Sequence, residues 1–321
     1  MRQEPLPTPD TGHVLVQTLL SAISPGTEML VYQDQFPANL AVDEKISSLS
    51  GAFRYPLRYG YAAVGQVAEI GAGVDPGWEG RLVFAFQAHT SHFLACPEEL
   101  LPVPEGISAE QAIFLANMET AVNFLMDGAP MIGEQVAVFG QGIVGLLTAA
   151  LLKRFPLSRL VTIDRYGLRR AASLELGVSA SLEPTSGSMI EQSKRLFPDG
   201  ADLTYELSGA LQALDQAIAL TGYNGRVVIG SWYGQKRANL DLGGYFHRSR
   251  IHLISSQVST LAPELSGRWS KARRFELAWE MIRQVRPERW ITQRFPIGQA
   301  SEAYRLLDHL PEETIQVVFT Y

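Results

Sequence analysis

Val136-Ala-Val-Phe-Gly-Gln-Gly-Ile-Val-Gly145 decides how this chain is to be read. The apolar run Val136–Phe139 has the composition of a buried strand, and Gly140, Gly142 and Gly145 follow it in a G-x-G-x-x-G arrangement with Ile143 and Val144 between them. Leu146-Leu-Thr-Ala-Ala-Leu-Leu152 then continues as a helix former. A second apolar run, Leu160-Val-Thr-Ile163, ends in Asp164, nineteen residues after Gly145. Strand, glycine turn, helix, strand and acid in this order form a dinucleotide-binding fingerprint. One glycine makes the tight turn, one lets backbone approach a pyrophosphate, and one lets helix pack on strand. The unpaired N–H groups at the helix start suit the phosphates.

With 321 residues, two domains are expected. Hydrophobic residues at 46% and charged residues at 19% describe a globular protein with ample material for burial. The net charge is −6 and the cations are dispersed, apart from small groups such as Lys271-Ala-Arg-Arg274, so no nucleic-acid partner is expected. A single cysteine, Cys96, excludes an internal disulfide and a Cys-rich zinc lobe. The chain has no apolar run of the roughly 18 residues a membrane span needs, and its start lacks a signal-peptide core, so a cytoplasmic protein without membrane contact is expected.

From 11 to 103, short alternating segments such as His13–Leu19, Gly65–Ile70 and Arg81–Phe86, parted by Gly and Pro, predict a β-rich, barrel-like domain. From Ser108 to Met126 the apolar spacing turns helical, with Ser108 as N-cap. Strands at Val136–Phe139, Val161–Asp164, Leu203–Glu206 and Arg226–Gly230 then alternate with helices, and Ile251–Ser256 reads as a sixth strand. That alternation predicts a doubly wound parallel sheet. Helices at Lys271–Val285 and Ser301–His309 and a strand at Ile315–Phe319 read as a return to the first domain. The expected division is residues 1–118 with 260–321, and 119–259.

Several motifs support one family: Glu4-Pro-Leu-Pro7, Ser21-Ala-Ile-Ser-Pro-Gly-Thr-Glu28, Tyr55-Pro-Leu-Arg-Tyr-Gly-Tyr-Ala-Ala-Val-Gly65, Gly80-Arg-Leu-Val83 and Leu101-Pro-Val-Pro-Glu-Gly106. With the fingerprint, they resemble the medium-chain dehydrogenase/reductase superfamily over nearly the whole chain. The Ser21–Glu28 and Tyr55–Tyr61 strings look closest to its bacteriochlorophyllide a dehydrogenase-like branch. The resemblance implies an α/β protein with a GroES-like barrel and a Rossmann domain, hydride transfer in an interdomain cleft, a small-molecule substrate and a homodimer paired near Ile251–Ser259. Members usually carry a further strand before Glu-Pro-Leu-Pro, so that strand is either absent or encoded upstream.

The departures from the family pattern matter most. Zinc-dependent members place a cysteine in the segment matching Ser24-Pro25, a His-Glu pair in that matching Tyr61-Ala62, and a cysteine or carboxylate near Ala116. None of the strong ligands stands there, so no zinc is expected. Glu119 and the pair His89/His92 are the remaining ligand candidates, with solvated loop histidines as the plainer reading. Family position makes Tyr61 the first candidate to hydrogen-bond the reacting oxygen, or a mere filler of the hole zinc would occupy. Thr27 and Glu28 match a hydroxyl–acid pair that relays a proton, though Glu28 reads equally well as a structural ion-pair partner. His89 is a candidate general acid lining the substrate pocket. Asn117 and Glu119 face either cleft or cap.

Asp164 favours NAD, because a carboxylate there accepts from the ribose hydroxyls and repels a 2′-phosphate. Arg165, Arg169 and Arg170 beside it keep NADP as the alternative. Family position adds Ser208, Gly209, Ser231, Trp232, Tyr233, Ser255, Ser256 and Gln257 along the nicotinamide half. Tyr245–Arg250 reads as an anion-binding stretch or a solvated helix end. The expected function is oxidoreduction of an alcohol or carbonyl, with an enone or quinone reductase and a non-catalytic dinucleotide-binding protein as alternatives.

Overall fold

The computed structural model describes residues 2–37, 53–185 and 189–321. The chain divides into two compact units, Met1–Ala116 with Ile282–Tyr321, and Asn117–Met281.

The first unit is built on strands β1 (Val14–Ala22), β2 (Ala63–Ile70), β3 (Leu82–Ala85), β4 (His92–Ala95), β5 (Leu101–Pro102), β12 (Ile291–Pro296) and β13 (Gln316–Thr320). They form a sheet in the order β12-β13-β1-β2-β3-β5, with β4 paired to β1. Alternate residues Val14 and Val16, Val83 and Ala85, and Phe93 and Ala95 point to one core, as the two-residue strand period requires. A second core gathers Ile23, Val317 and Phe319 with Ala303 and Leu307 of helix α10 (Ala300–His309). Helix α1 (Pro25–Tyr32) follows β1 directly. Its opening Ser-Pro-Gly reads as a turn, but Pro25 occupies the first helical position, where its missing N–H costs nothing. Ser108 caps the short α2 (Ala109–Ala112): its Oγ accepts from the Gln111 N–H at 3.2 Å, and Gln111 Oε1 accepts from the Ser108 N–H at 3.1 Å.

The second unit holds six parallel strands, β6 (Gln135–Phe139), β7 (Arg159–Ile163), β8 (Ala180–Leu182), β9 (Ala201–Glu206), β10 (Thr221–Ile229) and β11 (His252–Ser255), in the order β11-β10-β9-β6-β7-β8. The first strand is central and the chain winds outward from it in both directions, which is the doubly wound arrangement. Its helices are α3 (Leu115–Gly128), α4 (Ile143–Leu152), α5 (Gly167–Glu175), α6 (Met189–Leu196), α7 (Leu211–Leu220), α8 (Tyr245–Arg248) and α9 (Lys271–Val285). Phe139, Val161 and Val227 lie in one apolar cluster and Val136, Val138 and Leu203 in another. Strands buried on both faces explain their uninterrupted apolar runs.

Two differences from expectation stand out. The elements α1, α6, β8 and β12 did not register in the sequence pattern; β8 has only three residues, and α6 is strongly amphipathic but short. Residues 260–281, expected to return to the β-rich domain, remain with the nucleotide unit. The physical reason is Arg274, wholly buried and bonded to Glu119 of α3. Among the described residues no helix is long and apolar enough to cross a membrane.

Candidate active site

In the nucleotide unit the glycine turn is sterically committed. Gly140 has φ +86°, and a Cβ there would lie 2.6 Å from the backbone of Ser208. A Cβ on Gly145 would lie 1.9 Å from the Gly140 carbonyl oxygen. Only glycine lets strand end and helix start close in this way. Gly142 is the N-cap of α4 without a side chain to satisfy the first N–H groups, and Ile143 and Val144 open the helix. These features fit a dinucleotide's pyrophosphate.

Asp164, at the carboxyl end of β7, is 6% exposed and accepts from the backbone N–H groups of Gln141 at 2.6 Å and Tyr166 at 2.8 Å. It therefore holds the turn itself while its remaining lone pairs stay available for a ribose hydroxyl. Arg165 and Arg169 lie 5.0 and 4.7 Å from the centre of the Tyr166 ring, at distances suited to cation–π contact. Burial lowers the basicity of Arg169, which Asp164 partly restores. Arg170 donates to the backbone oxygens of Asp164 and Arg165 at 2.9 and 2.8 Å.

Ser208 and Ser231 serve a residue the sequence reading missed. Glu206 ends β9 wholly buried and accepts from the Ser208 N–H at 2.8 Å, from the Ser208 hydroxyl and from Tyr233. Ser231 Oγ accepts from the Gly209 N–H at 2.9 Å. Burial and the Glu206 charge push the Tyr233 phenol upward, keeping it a donor. An acid closing a strand buried over its last four residues, Leu203–Glu206, is the signal that could have found Glu206. Trp232 is 36% exposed, and Gln257 Oε1 accepts from the Ser259 N–H at 2.5 Å.

The β-rich unit holds a different kind of cluster. Tyr61 donates to Ser24 Oγ, with Thr27 Oγ1 at 3.4 Å from its oxygen. Four residues along α1, Glu28 is 1% exposed and accepts from the Ser24 N–H at 2.7 Å through Oε1. Its Oε2 meets His89 Nε2 at 3.0 Å and accepts from the Tyr304 hydroxyl. His89 Nδ1 lies 2.7 Å from Ser21 Oγ, which lies 2.7 Å from the Tyr321 hydroxyl. With Glu28 ionised, one set of donor directions satisfies the chain: Tyr321 O–H to Ser21, Ser21 O–H to His89 Nδ1, and His89 Nε2–H to Glu28. Phe319 packs edge-on against His89 at 4.9 Å, and Tyr304 stacks on Tyr32 at 5.3 Å. Burial and the nearby Glu28 carboxylate hold the Tyr304 phenol well above its usual range, and burial pushes Tyr321 up to about 12.

Tyr61, Thr27, Glu28 and His89 thus fall in one neighbourhood, but His89 and Glu28 are bonded to each other. His92 lies apart from them, its Nδ1 3.2 Å from Ser91 Oγ. Ser21, Tyr304 and Tyr321 join them with no signal in the sequence, and Ser24, matched above only to the segment of the zinc-binding cysteine, bonds Tyr61. Among the described residues, the side chains bonded around Tyr61 are hydroxyls, with no thiolate or free imidazole, a donor set that does not fit a catalytic zinc. Among the described residues, no group of three or more His, Cys, Asp or Glu could hold a metal ion. Glu119 is bound to Arg274 at 2.7 Å, with burial raising its carboxyl and Arg274 opposing. Asn117 is buried, while Tyr245 and Arg248 on α8 are exposed, as a solvated helix end would be.

Residues 144–276 match the family model for zinc-binding dehydrogenase, a stretch inside the nucleotide unit that includes none of the Tyr61 cluster. The chain is similar to D-guloside 3-dehydrogenase of Escherichia coli (strain K12), with 24% identity over 227 residues, 70% of this chain and 65% of that protein. It thus spans about two-thirds of that relative. Sorbitol dehydrogenase of Bacillus subtilis (strain 168) is 23% identical over 260 residues, 70% of each chain. Among solved structures, a Sinorhizobium meliloti 1021 protein bound to NADP superposes with TM-score 0.78 at 17% identity, covering all of this chain and 95% of the other.

Proposed function

We propose that the chain is a member of the medium-chain dehydrogenase/reductase superfamily, as its match to the zinc-binding dehydrogenase model and its likeness to D-guloside 3-dehydrogenase and sorbitol dehydrogenase support, and that it is a nicotinamide-dependent oxidoreductase that interconverts a secondary alcohol and its ketone without zinc. The carrying observation is the glycine turn: Gly140 and Gly145 let the strand end, the Ser208 backbone and the helix start close on one another, and Gly142 at the N-cap of α4 leaves the first helical N–H groups for a pyrophosphate. The substrate class is supported by relatives named for a guloside and for sorbitol. NAD is the proposed cofactor, because Asp164 stands where a 2′-phosphate would be repelled; NADP is the alternative to test. When bound, the nicotinamide accepts or supplies the hydride.

The chain's own contribution is the hydroxyl set. Tyr61 gives up its bond to Ser24 Oγ and turns its one O–H proton to the substrate oxygen, where it stabilises the charge that develops as hydride arrives, while the Ser24 hydroxyl can then donate to the phenol oxygen. Ser24 and Thr27 hold the phenol, and Glu28 holds Ser24 through its N–H. One well-placed neutral donor is worth roughly 2.7–4 kcal/mol. A metal Lewis acid supplies several kcal/mol in the same role, so turnover slower than in zinc-dependent relatives follows. We place the protein in the cytoplasm and propose a homodimer through the open edge of β11.

Metal analysis of the purified protein, combined with NADH and NADPH titration and turnover on secondary polyols, tests this reading. Tight NADH binding and turnover without stoichiometric zinc are expected. Zinc required for turnover would sink the role of Tyr61; binding without turnover would leave a non-catalytic dinucleotide-binding protein. Failure to bind either nucleotide would end the proposal.

A further inference from the structure

Helix α3 carries Glu119, Asn123 and Asp127 at four-residue spacing, which puts all three on one stripe. Glu119 and Asn123 are buried, and the largest wholly buried side chain described is Arg274 of α9, against them. Every donor of its guanidinium is used. Nε and Nη2 donate to Glu119 Oε1 at 3.1 and 2.7 Å, Nη1 to Asn123 Oδ1 at 2.5 Å and the Thr260 carbonyl at 3.2 Å, and Nη2 also to the Val258 carbonyl. Five donors meeting five acceptor contacts is the full capacity of an arginine. With its Oδ1 on the guanidinium, Asn123 must turn Nδ2 to Asp127 Oδ2 at 2.9 Å and Ser256 Oγ at 3.0 Å, and Ser256 donates on to Asp127. Positions 256, 258 and 260 are therefore all tied to the interior by this network.

A buried ion pair is poor evidence of a stability device, since apolar residues of similar volume often serve as well or better. Apolar residues could not hold two backbone carbonyls at fixed positions. The tied segment leaves the carboxyl end of β11, on the β9–β11 side of the central strand β6. Asp164, the ribose-side carboxylate, ends β7 on the other side. A dinucleotide crossing a doubly wound sheet at the point where strand order reverses puts its nicotinamide half toward β9–β11.

We propose that Arg274 is a positioning residue for the nicotinamide half of the cofactor: it holds residues 256–260, Gln257 included, in the form that half requires. This rests on the nicotinamide-binding reading above. The test is titration of wild type, Arg274→Met and Ser256→Ala with NADH and with ADP-ribose, which lacks only the nicotinamide. Arg274→Met is expected to weaken NADH by at least about tenfold while ADP-ribose changes by less than about twofold. Ser256→Ala, which removes one tether and keeps the ion pair, is expected to weaken NADH about threefold with the same selectivity, and decides the matter if Arg274→Met does not fold. Arg274→Lys restores the charge but not the five-donor fork, so it is expected to recover stability without recovering NADH affinity. Equal weakening of both ligands, or no change in either, overturns the proposal. Wild type binding ADP-ribose and NADH with unaltered variants refutes this inference alone; wild type binding neither removes the nicotinamide reading and the inference together.

Discussion

The glycine turn of the nucleotide unit and the Glu28 cluster of the β-rich unit are built on opposite principles. The first presents backbone, and its specificity lies in what side chains are absent at Gly140 and Gly145. The second presents side chains gathered from distant stretches: Ser21 of β1, Glu28 of α1, His89, Tyr304 of α10 and Tyr321. A site made by omission is local in sequence and intolerant of any addition. A site made by convergence depends on topology and fails one bond at a time.

Filling the turn gives the largest expected effect. Gly145→Ala places a methyl 1.9 Å from a backbone oxygen, and dinucleotide affinity should fall by about a thousandfold, or roughly 4 kcal/mol, by fluorescence titration. Near-normal affinity would break the contrast at its root. Next comes Tyr61→Phe, which removes one donor from the hydroxyl set. We expect kcat/KM to fall by about a hundredfold with NADH affinity unchanged; an unchanged kcat/KM would reduce Tyr61 to packing.

Glu28→Gln should be milder, because the amide oxygen can still accept on one side of the residue. The new NH2 group then opposes, donor to donor, either the Ser24 N–H or the His89 and Tyr304 donors, so a loss of about 1–3 kcal/mol in urea unfolding is expected. No loss would show that the cluster contributes nothing to the fold. The smallest effect lies at high pH. Burial lifts the Tyr321 phenol from 10.0 to about 12, so the folded chain retains a proton the unfolded chain gives up. Stability tied to that proton is complete below pH 10 and is lost as pH rises toward 12. Tyr321→Phe should flatten the alkaline fall in denaturant midpoint, and an unaltered slope would place the phenol in solvent.

The contrast also explains what could be read from sequence. Gly140, Gly142, Gly145 and Asp164 were legible because turn, helix start and strand end are set by neighbours in the chain. The central strands were legible because burial on both faces makes them uniformly apolar. Thr27, Glu28, Tyr61 and His89 could be named only through family position, and nothing local showed that Glu28 and His89 bind one another. Tyr304 and Tyr321 were unreadable, since a tyrosine near a C-terminal strand carries no mark of a partner 276 or 300 residues away. The Glu119-Asn123-Asp127 spacing was open to view; without Arg274 opposite, it reads as an ordinary polar helix face. That missing partner is also why residues 260–281 read as belonging to the other domain.

The division of the chain has a consequence for the order of its synthesis. Residues 117–281 form one uninterrupted stretch, so the nucleotide unit can close on itself once that stretch has emerged from the ribosome, with no contribution from residues 282–321. The β-rich unit must wait, because β12 and β13 lie in those residues, as do Tyr304 and Tyr321. Glu28 and His89 are made early and acquire their aromatic partners more than two hundred residues later. Until then a carboxylate and an imidazole stand at an unfinished core, and the nascent chain depends on the speed of its own completion to cover them.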